Sequence, residues 1–485
     1  MFMRRRSTFA LLCAMTAAAA LAVPSAHANS RQLTVLQDDD LLLRNDGAAR
    51  AQALDEMRDL GADVVKVQVY WNEIAPQGRR KPTGFDASDP GGYAWGVYDE
   101  IVQGVVARGM RPFLALGNRA PDWATAKRGR YRGTYKPSAR EFGLFARAAG
   151  QRYSGSFGGL PRVDLWSIWN EPNLFSWLAP QRARDGTPVS PAVYRKLYLA
   201  GHRGLRATGH GGDTILLGEL MPLGAGSPRK VPPLEFLREL ACLDRNFRPF
   251  RGRAARVRDC GDVGRIPTSG LAHHPYTPGG GVHASGKRDE APIGALRELT
   301  RTLDAIARPG RLPRRLPVWI TEFGYQTNPP DPFQFAIRRV PGLMDESEWI
   351  AFRNRRVRSY SQYTLRDAPP RNSGGRFLAY SSFQMGLRFD DGRKKPGVYD
   401  AFPMPAFVRL LGGNRVEVFG GLRAGGGGRA SISARVPGGS YRSLGLAPLN
   451  AAGYFRRVFH VRRAADAKYR IAIGGRRRDK SPVTR

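Results

Sequence analysis

The chain has 485 residues, with 77 lysines and arginines against 41 acidic residues and a formal net charge of +36. Hydrophobic residues make up 42% of it, which is enough to bury a large core and excludes a disordered chain or a small disulfide-stapled scaffold. Such a charge is typical of proteins that bind nucleic acid. Arginines nevertheless occur in almost every segment and no nucleic-acid-binding module is recognisable, so we expect no nucleic-acid partner.

The first 28 residues have the three parts of a secretory signal peptide. Arg4, Arg5 and Arg6 form a basic start, residues 9–23 are apolar, and Ala26-His27-Ala28 is a cleavage site with small residues. Cleavage after Ala28 would remove three arginines and lower the charge from +36 to +33. We therefore expect a secreted or envelope-associated protein without a membrane span; an uncleaved anchor is the alternative.

Short apolar runs then alternate with amphipathic helical patterns. The runs predict strands at 33–37, 64–70, 112–116, 163–169, 214–218, 270–274, 316–321 and 377–384. Between them and after them, helices are predicted at 48–60, 93–108, 138–153, 191–208, 233–243, 292–306, 346–366 and 398–411. Eight strand–helix units predict an α/β fold, a (β/α)8 TIM barrel over residues 29–411. No G-x-G-x-x-G follows the first strand, which argues against a dinucleotide-binding fold.

The pattern changes after about residue 411. Helical periodicity stops, and glycine-rich turns separate short segments in which apolar and polar residues alternate. We expect a small antiparallel β-sandwich over residues 412–475, more often a brace for the barrel than a binding module. The last residues, 476–485, are very basic and are predicted to be a flexible tail.

Two cysteines remain after the predicted signal peptide, Cys242 and Cys260. In an exported protein such a pair predicts one disulfide bond that closes a loop. No further cysteine or histidine flanks them at the spacing of metal ligands. The loop between them is rich in arginine, either as a solvated insertion or as a surface for an acidic polysaccharide: Arg251, Arg253, Arg256 and Arg258.

Two carboxylates follow predicted strands at the places where barrel enzymes carry their functional groups. The fourth strand ends in W-S-I-W-N-E-P-N, which puts Asn170 and Glu171 at the mouth of the barrel. The seventh ends in V-W-I-T-E-F-G-Y, which puts Glu322 there. A charge beside an apolar run is costly to bury and usually has a role. Two carboxylates that flank a glycosidic bond are what glycoside hydrolysis needs.

These two motifs together resemble glycoside hydrolase clan A. Within the clan the chain is most similar to family 39 and to the related exported exopolysaccharide hydrolases of bacteria. The segments L-G-A-D-V-V-K-V-Q-V-Y-W-N-E-I-A-P, A-P-D-W-A, H-H-P-Y and D-D-G-R-K-K-P-G-V-Y-D-A-F match as well. The resemblance covers roughly residues 33–411 and implies a barrel enzyme that uses no cofactor and no metal ion.

The resemblance also implies roles for single residues. Glu171 would be the general acid/base, and Glu322 the nucleophile of a two-step reaction that retains the anomeric configuration. Asn170 would hydrogen-bond the sugar 2-hydroxyl group. Tyr276 would hydrogen-bond and orient Glu322. His274 would line the sugar site, with a packed histidine of the barrel wall as the alternative.

Aromatic residues near the predicted strand ends are candidates for stacking on sugar rings or for ordinary loop packing: Trp71, Trp123, Trp177 and Tyr325. Asn118 and Asp122 are further candidates for sugar hydrogen bonds. Clan members commonly carry a tryptophan at the end of strand eight, and the predicted eighth strand, F-L-A-Y-S-S-F-Q-M-G, has none. Phe383 would take its place, or the first sugar subsite differs.

The sequence thus predicts an exported retaining glycoside hydrolase that cleaves O-glycosidic bonds of a polysaccharide or glycoside. Two alternatives stay open, a transglycosylase and a carbohydrate-binding protein on a non-catalytic barrel. The basic surface adds the hypothesis of an acidic polysaccharide as substrate.

Overall fold

The computed structural model describes residues 31–126, 131–261, 263–277, 279–284, 286–371, 378–380, 383–423 and 427–483. The predicted signal peptide lies outside these residues. Within them, no helix combines the length and the apolar character needed to cross a membrane.

A closed barrel of eight parallel strands forms the main body, which confirms the predicted fold class. Neighbouring strands around it are β1, β10, β7, β6, β5, β4, β3 and β2. Their bounds are Leu33–Gln37 (β1), Val64–Tyr70 (β2), Arg111–Gly117 (β3), Leu165–Ile168 (β4), Thr214–Leu220 (β5), Gly270–His273 (β6), Val318–Ile320 (β7) and Val357–Tyr363 (β10). The short strands Thr327–Asn328 (β8) and Phe335–Ala336 (β9) pair with each other outside the barrel.

Helices cover the outer face of the barrel, as apolar parallel strands require. They are Asp39–Leu43 (α1), Gly47–Asp59 (α2), Trp71–Ile74 (α3), Gly96–Ala107 (α4), Ala139–Arg152 (α5), Ser190–Arg206 (α6), Pro233–Leu240 (α7), Gly252–Val257 (α8), Leu296–Ala307 (α9), Val340–Arg353 (α10) and Val398–Ala401 (α11). Ser138 caps α5 through a side-chain hydrogen bond to the Glu141 amide, as a serine before a helical pattern predicts.

The prediction for the eighth strand is wrong. The described residues of 377–384 are in no strand, and the barrel closes instead through β10, Val357–Tyr363. The helix predicted over 346–366 ends at Arg353. The segment V-R-S-Y-S-Q-Y was not predicted as a strand because Ser359 and Ser361 occupy alternate positions and interrupt the run of apolar residues. The hydroxyl group of Ser359 donates to the carbonyl of Ile320, the last residue of the neighbouring strand β7. The hydroxyl group of Ser361 donates to the carbonyl of the next residue, Thr321.

Two antiparallel sheets follow the barrel and confirm the small additional β region. One contains Ala406–Gly412 (β11), Arg415–Gly421 (β12) and Tyr454–His460 (β15). The other contains Arg442–Pro448 (β14), Arg429–Arg435 (β13), Lys468–Ile473 (β16) and Arg476–Lys480 (β17). A shared apolar core joins them, with Val418, Ile432 and Ile471 among its fully buried members. Since β11 begins at residue 406, the helix predicted over 398–411 is wrong beyond Ala401.

The basic C-terminal end also differs from the prediction of a flexible tail. Residues 476–480 form strand β17, which pairs with β16 along its length. Arg478 reaches the barrel helix α10 and forms an ion pair with the buried Asp345 at 2.8 Å. Nearby, Arg423 and Glu348 form a second buried ion pair at 2.8 Å. This basic segment is therefore held in place by its pairing with β16 and by the ion pair between Arg478 and the buried Asp345.

The interior of the barrel is filled from one end by an apolar layer, defined by seven residues from seven strands. They are Val35, Val64, Phe113, Leu165, Leu216, Ala272 and Trp319. Side chains alternate along a strand, so the residues two positions further on also face inward, closer to the carboxyl ends of the strands. On β2 and β4 these are Lys66 and Ser167, and on β6 the next inward residue is His274. The barrel interior thus changes from apolar to charged toward one end.

Candidate active site

A cleft of about 570 Å³ opens at the carboxyl ends of the strands, and both candidate glutamates line it. Asn170 and Glu171 lie two and three residues after β4, and Glu322 lies two residues after β7. A carboxylate oxygen of Glu171 and one of Glu322 lie within 4.8 Å of each other. The two motifs, 151 positions apart in the chain, therefore face the same space.

His274 lies between the two glutamates. Its Nδ1 is 3.1 Å from Glu171 Oε1 and 3.4 Å from Glu322 Oε2. On the far side of Glu171, the indole N–H of Trp177 donates to Oε2 at 3.2 Å. Both oxygens of Glu171 are thus held in place, while the residue still reaches the cleft.

Glu322 is held from two other directions and is only 9% exposed. The hydroxyl group of Tyr276 donates to its Oε2 at 3.2 Å. The ammonium group of Lys66 donates to its Oε1 at 3.1 Å. A cation and a hydroxyl group thus hold this carboxylate in place through hydrogen bonds to its two oxygens.

Beneath the glutamates lies an ionic layer, defined as Lys66, Glu219 and His274, all with fully buried side chains. Lys66 Nζ donates to Glu219 Oε2 at 2.8 Å, and His274 Nε2 faces the same oxygen at 3.5 Å. Ser167 donates to Glu219 Oε1 at 2.7 Å. Buried charges persist only when they are paired, and here the two cations face the carboxylate of Glu219 within the layer and that of Glu322 above it.

The sequence analysis missed Lys66 and Glu219. A signal was present, since each interrupts an apolar strand, in V-V-K-V-Q-V-Y and T-I-L-L-G-E-L. The same reasoning that marked Glu171 and Glu322 applies to them, because a lone charge in a buried strand is costly.

The pKa directions within the ionic layer follow from competition between burial and pairing. Burial alone would raise the pKa of Glu219, but the charges of Lys66 and His274 outweigh it and lower that pKa to about 2. Burial would lower the pKa of His274, but the charge of Glu322 and the hydrogen bonds to Glu171 and Glu219 raise it to about 9. The pKa of Lys66 is likewise raised despite burial. At neutral pH, His274 is therefore an imidazolium.

The backbone turns that present these groups are unusual. Glu219 has φ of +59° beside a register shift between β5 and β6, and this bulge turns its side chain into the barrel. Glu171 has φ of +37°, and its amide donates to the carbonyl of Glu219 at 3.0 Å. Left-handed conformations of non-glycine residues cost energy and cluster at functional sites. Here the backbone hydrogen bond between these two residues links the turn after β4 to the end of β5.

Several predicted binding residues lie in the cleft with the glutamates. Asn170, Asn118, Trp177, Tyr276 and Tyr325 all line it. The alternative for His274, a packed histidine, is correct in part, because the side chain is fully buried but touches both glutamates. The neighbouring His273 points away from the barrel interior and bonds the carbonyl of Ala291 at 2.7 Å.

Two predicted stacking residues lie elsewhere. Trp71 is fully buried and stacks on Phe145 with ring centroids 5.4 Å apart. Trp123 packs edge-on against Trp71, and its indole N–H donates to the carbonyl of Pro76 at 2.9 Å. Neither lines the cleft, so loop packing, the alternative in the sequence analysis, describes both. Asp122 does not line the cleft either.

The true eighth strand brings an aromatic residue to the cleft that the sequence analysis did not name. Tyr363 ends β10 and lines the cleft. Phe383 lines it too, with its ring edge-on to that of Tyr363 at 5.9 Å. Because the eighth strand was predicted in the wrong segment, the residue at its true end, Tyr363, was not among the predicted aromatic candidates.

The donor set of Glu171, His274 and Glu322 brings three possible metal-ligand atoms within 4.8 Å of one another. A histidine must be neutral to bind a metal ion. With a pKa raised to about 9, His274 carries protons on both ring nitrogens at neutral pH, and its Nδ1 faces the two glutamates. In this charge state, Nδ1 of His274 acts as a hydrogen-bond donor to the glutamates.

Comparison with known proteins finds similarity in fold. No protein-family model matches the chain, and no curated protein matches it. A glucosidase from Croceicoccus marinus superposes with a TM-score of 0.51 at 9% identity, over 92% of this chain and 96% of that one. A GH5_18 protein from Streptomyces cattleya, solved with GlcNAc, has a TM-score of 0.48 at 15% identity, over 77% and 80%. At such identities the likeness concerns the barrel architecture alone.

Proposed function

We propose that this protein is an exported retaining glycoside hydrolase of clan A, related to family 39, that cleaves O-glycosidic bonds of a polysaccharide or glycoside. The observation that carries the proposal is the pair of glutamates at the ends of β4 and β7, with carboxylate oxygens within 4.8 Å. Retaining enzymes need carboxyl groups about 5–5.5 Å apart, whereas inverting enzymes need about 6.5–9.5 Å for an intervening water.

In the first step, Glu322 attacks the anomeric carbon and forms a glycosyl ester, while Glu171 gives its proton to the leaving oxygen. Lys66 and Tyr276 hydrogen-bond the carboxylate of Glu322 and keep it in position for the attack. As the charge on Glu322 is consumed, a charge appears on Glu171. His274 lies within 3.4 Å of both carboxylates, so one imidazolium compensates each in turn.

In the second step, the carboxylate of Glu171 takes a proton from water, and that water attacks the anomeric carbon from the face opposite the ester. The ester bond to Glu322 breaks, the sugar leaves with its original configuration, and Glu171 again holds a proton. The hydrogen bond from Trp177 keeps Glu171 in place for both of its roles.

Export is part of the proposal and rests on two features. Residues 1–28 have the composition of a signal peptide. The predicted disulfide bond between Cys242 and Cys260 is present, with Cα atoms 5.8 Å apart, and such bonds persist in oxidising compartments. We propose cleavage after Ala28, which leaves a mature chain of the barrel followed by the β region that begins at Ala406.

The proposal is tested with Glu171→Gln and Glu322→Gln on a panel of para-nitrophenyl glycosides. We expect each change to lower kcat by at least about 10³-fold, because each removes a group that acts on the reacting bond. Azide should restore turnover to a Glu171→Ala variant through a glycosyl azide. NMR of the first-formed product anomer should show retention.

A surface variant, Glu298→Gln, serves as the control, since Glu298 is an exposed residue of α9. Inverted product would contradict the retaining mechanism while leaving a hydrolase. Unchanged turnover in both glutamine variants would exclude hydrolysis at this site. Glycan binding without product would favour the carbohydrate-binding alternative, and disaccharide formation would favour the transglycosylase.

A further inference from the structure

The four-stranded sheet of the β region has one face buried and one exposed. Alternate residues of β13 and β16, among them Ile432 and Ile471, point into the core shared with the other sheet. The residues between them point to solvent, because side chains alternate along a strand. The outward residues of β13, β16 and β17 include five cations, which define the basic face: Arg429, Arg435, Lys468, Arg470 and Arg477.

Strand β17 separates the basic face from the contacts that brace the barrel. Its inward residues, Arg478 and Lys480, form ion pairs with the buried Asp345 of α10. Its outward residues, Arg477 and Asp479, lie on the other side of the sheet. Bracing of the barrel therefore uses only the inward side of this strand, and the outward cations take no part in it.

The basic face carries more positive charge than its own acids compensate. All outward residues of β13, β16 and β17 are described, and Asp479 is the one acid among them. It pairs with Arg470 at 2.8 Å. Within the described part of the chain, Arg429, Arg435 and Lys468 form no ion pair with an acid. Because the whole chain has 77 basic residues against 41 acids, its average basicity does not account for a face with one acid.

Two cations of the basic face lie directly opposite each other. Arg435 of β13 pairs in register with Lys468 of β16, and like charges in this relation destabilise a sheet. Cations on an edge strand can protect a sheet from aggregation, but β13 and β16 are the two inner strands of this sheet. Edge protection thus does not explain the pair, whereas an anion bound between the two side chains would turn their repulsion into attraction.

The guanidinium group of Arg470, in the same face, is fixed in position. Its Nε and Nη2 donate to the two carboxylate oxygens of Asp479 at 2.8 and 2.9 Å. Its central carbon lies 3.8 Å from the ring centre of Tyr441, whose hydroxyl group donates to Asp479 at 3.1 Å. A side chain that is already ordered loses little conformational entropy when a ligand binds.

The spacing of the cations requires an extended ligand. Arg429 and Arg435 stand at the two ends of β13, which places them about 20 Å apart in an antiparallel strand. Ser431 and Ser433 lie between them on the same face, and their hydroxyl groups can donate and accept hydrogen bonds. A polymer with anionic groups at intervals and hydroxyl groups between them matches this order of side chains. That is the chemistry of an acidic polysaccharide.

Other polyanions match the basic face less well. Proteins that bind single-stranded nucleic acid offer aromatic rings on which bases stack. In the described strands β13, β16 and β17, no outward residue is aromatic, and Arg470 already occupies one side of the ring of Tyr441. Surfaces that lie on membranes present apolar side chains for insertion. Here the outward residues between the cations are Ser431, Ser433 and Ala472.

We propose that the basic face binds an acidic polysaccharide, a chain of sugars with carboxylate or sulfate groups, and holds the protein on that polymer. The site lies in the β region, apart from the cleft of the barrel. The choice of a glycan among polyanions rests on the proposed function, whereas the binding itself is measured without turnover.

The experiment measures Kd by fluorescence anisotropy with labelled oligogalacturonate, dextran sulfate and neutral dextran of equal chain length. The Glu322→Gln protein is used as the parent, so that no ligand is consumed. The face variant carries four further changes: Arg429→Gln, Arg435→Gln, Lys468→Gln and Arg477→Gln. We expect the parent to bind at least one acidic polymer and the face variant to bind it at least about tenfold more weakly, because exposed ion pairs are weak singly but four are lost together.

A matched control variant removes four cations from the helical side of the barrel instead: Arg140→Gln, Arg203→Gln, Arg297→Gln and Arg308→Gln. These side chains are exposed, and none of them forms an ion pair within the described residues. We expect the control variant to bind like the parent, and thermal unfolding checks that each variant folds. Asp479→Asn, which removes the acid of the face, should bind more tightly, a gain that misfolding cannot produce.

Four results would overturn the inference. Equal losses in the face variant and the control variant would show that binding follows the net charge of the chain. Failure to bind either acidic polymer, or binding of neutral dextran with the same Kd, would exclude an acidic polysaccharide. Tighter binding to single-stranded DNA or to phosphatidylglycerol vesicles, lost in the face variant, would assign the face to another partner. Weaker binding by a folded Asp479→Asn protein would contradict recognition by charge.

A further comparison separates this inference from the proposed function. In the wild-type background, the face variant should keep the kcat/KM of the parent enzyme for para-nitrophenyl glycosides, since its four residues lie outside the cleft. Loss of small-substrate turnover in a folded face variant would overturn a role limited to polymer binding. A wild type that cleaves nothing, with polymer binding that the face variant loses, would reject the proposed function and support the site.

Discussion

The two layers inside the barrel use the same strands for opposite purposes. On β2, Val64 belongs to the apolar layer and Lys66, two residues later, to the ionic layer. On β6, Ala272 and His274 have the same relation. The apolar layer keeps water away from the ionic layer. Without water, an unpaired charge in the ionic layer has a high free-energy cost. The position of a residue along a strand, rather than the strand itself, therefore decides whether its side chain serves stability or chemistry.

The largest expected effect is in the ionic layer. Lys66→Met leaves Glu219 and Glu322 without their shared cation, and removing one partner of a buried ion pair costs about 3–5 kcal/mol. We expect urea unfolding to show this loss of stability together with a loss of turnover.

Lys81→Met is its control, because it breaks a partly exposed pair with Glu141 at 2.8 Å. Exposed pairs contribute about 0.2–1 kcal/mol. Equal losses in the two variants would show that the ionic layer is no more tightly coupled than the surface.

A cavity in the apolar layer should lower stability without altering the chemistry. Leu165→Ala removes a fully buried side chain and should cost about 3 kcal/mol. We expect kcat and KM of the folded protein to stay near the wild-type values, measured below the unfolding transition. A change in the pH dependence of kcat would show that the two layers are coupled.

The pH dependence of stability should come from the ionic layer. The native pKa of His274 is raised to about 9 from an ordinary value of 6.5. Its contribution is complete below pH 6.5 and is lost as the pH rises through 9, a difference of about 3 kcal/mol. Glu171, Glu219, Glu322 and Lys66 are the charged groups that face it. Urea unfolding between pH 6 and 10 should show this slope, and His274→Gln should flatten it; a slope that survives must arise from another group.

The smallest expected effect is the loss of one hydrogen bond to the ionic layer. Ser167→Ala removes the donor to Glu219 Oε1 and should cost about 1.5–3 kcal/mol, as for other bonds to charged groups. Thermal unfolding measures it, and Ser167→Thr, which keeps the hydroxyl group, should recover part of the loss. A variant as stable as the wild type would mean that Lys66 and His274 suffice to compensate Glu219.

Prediction from the sequence succeeded where one strand carried its own signal. The apolar runs before Glu171 and Glu322 marked both the strands and the mouth of the barrel. It failed at β10, whose alternating serines resemble neither an apolar strand nor a loop, and it therefore missed Tyr363. The charge of Glu219 within an apolar strand was a usable signal, but its direction was not, because a bulge, and not the regular alternation of β5, turns that side chain inward.

By itself, the sequence determined the alternation of strands and helices, the pair of cysteines, and the two glutamates at strand ends, because periodicity and local composition record these features. Only the tertiary structure decided which groups face one another across the barrel. The contacts of Lys66 with Glu219 and Glu322 span 153 and 256 positions, and the cleft takes Gln37, Asn118 and Asn170 from three strand ends. The closure of the barrel brings them together, and no local pattern records that closure.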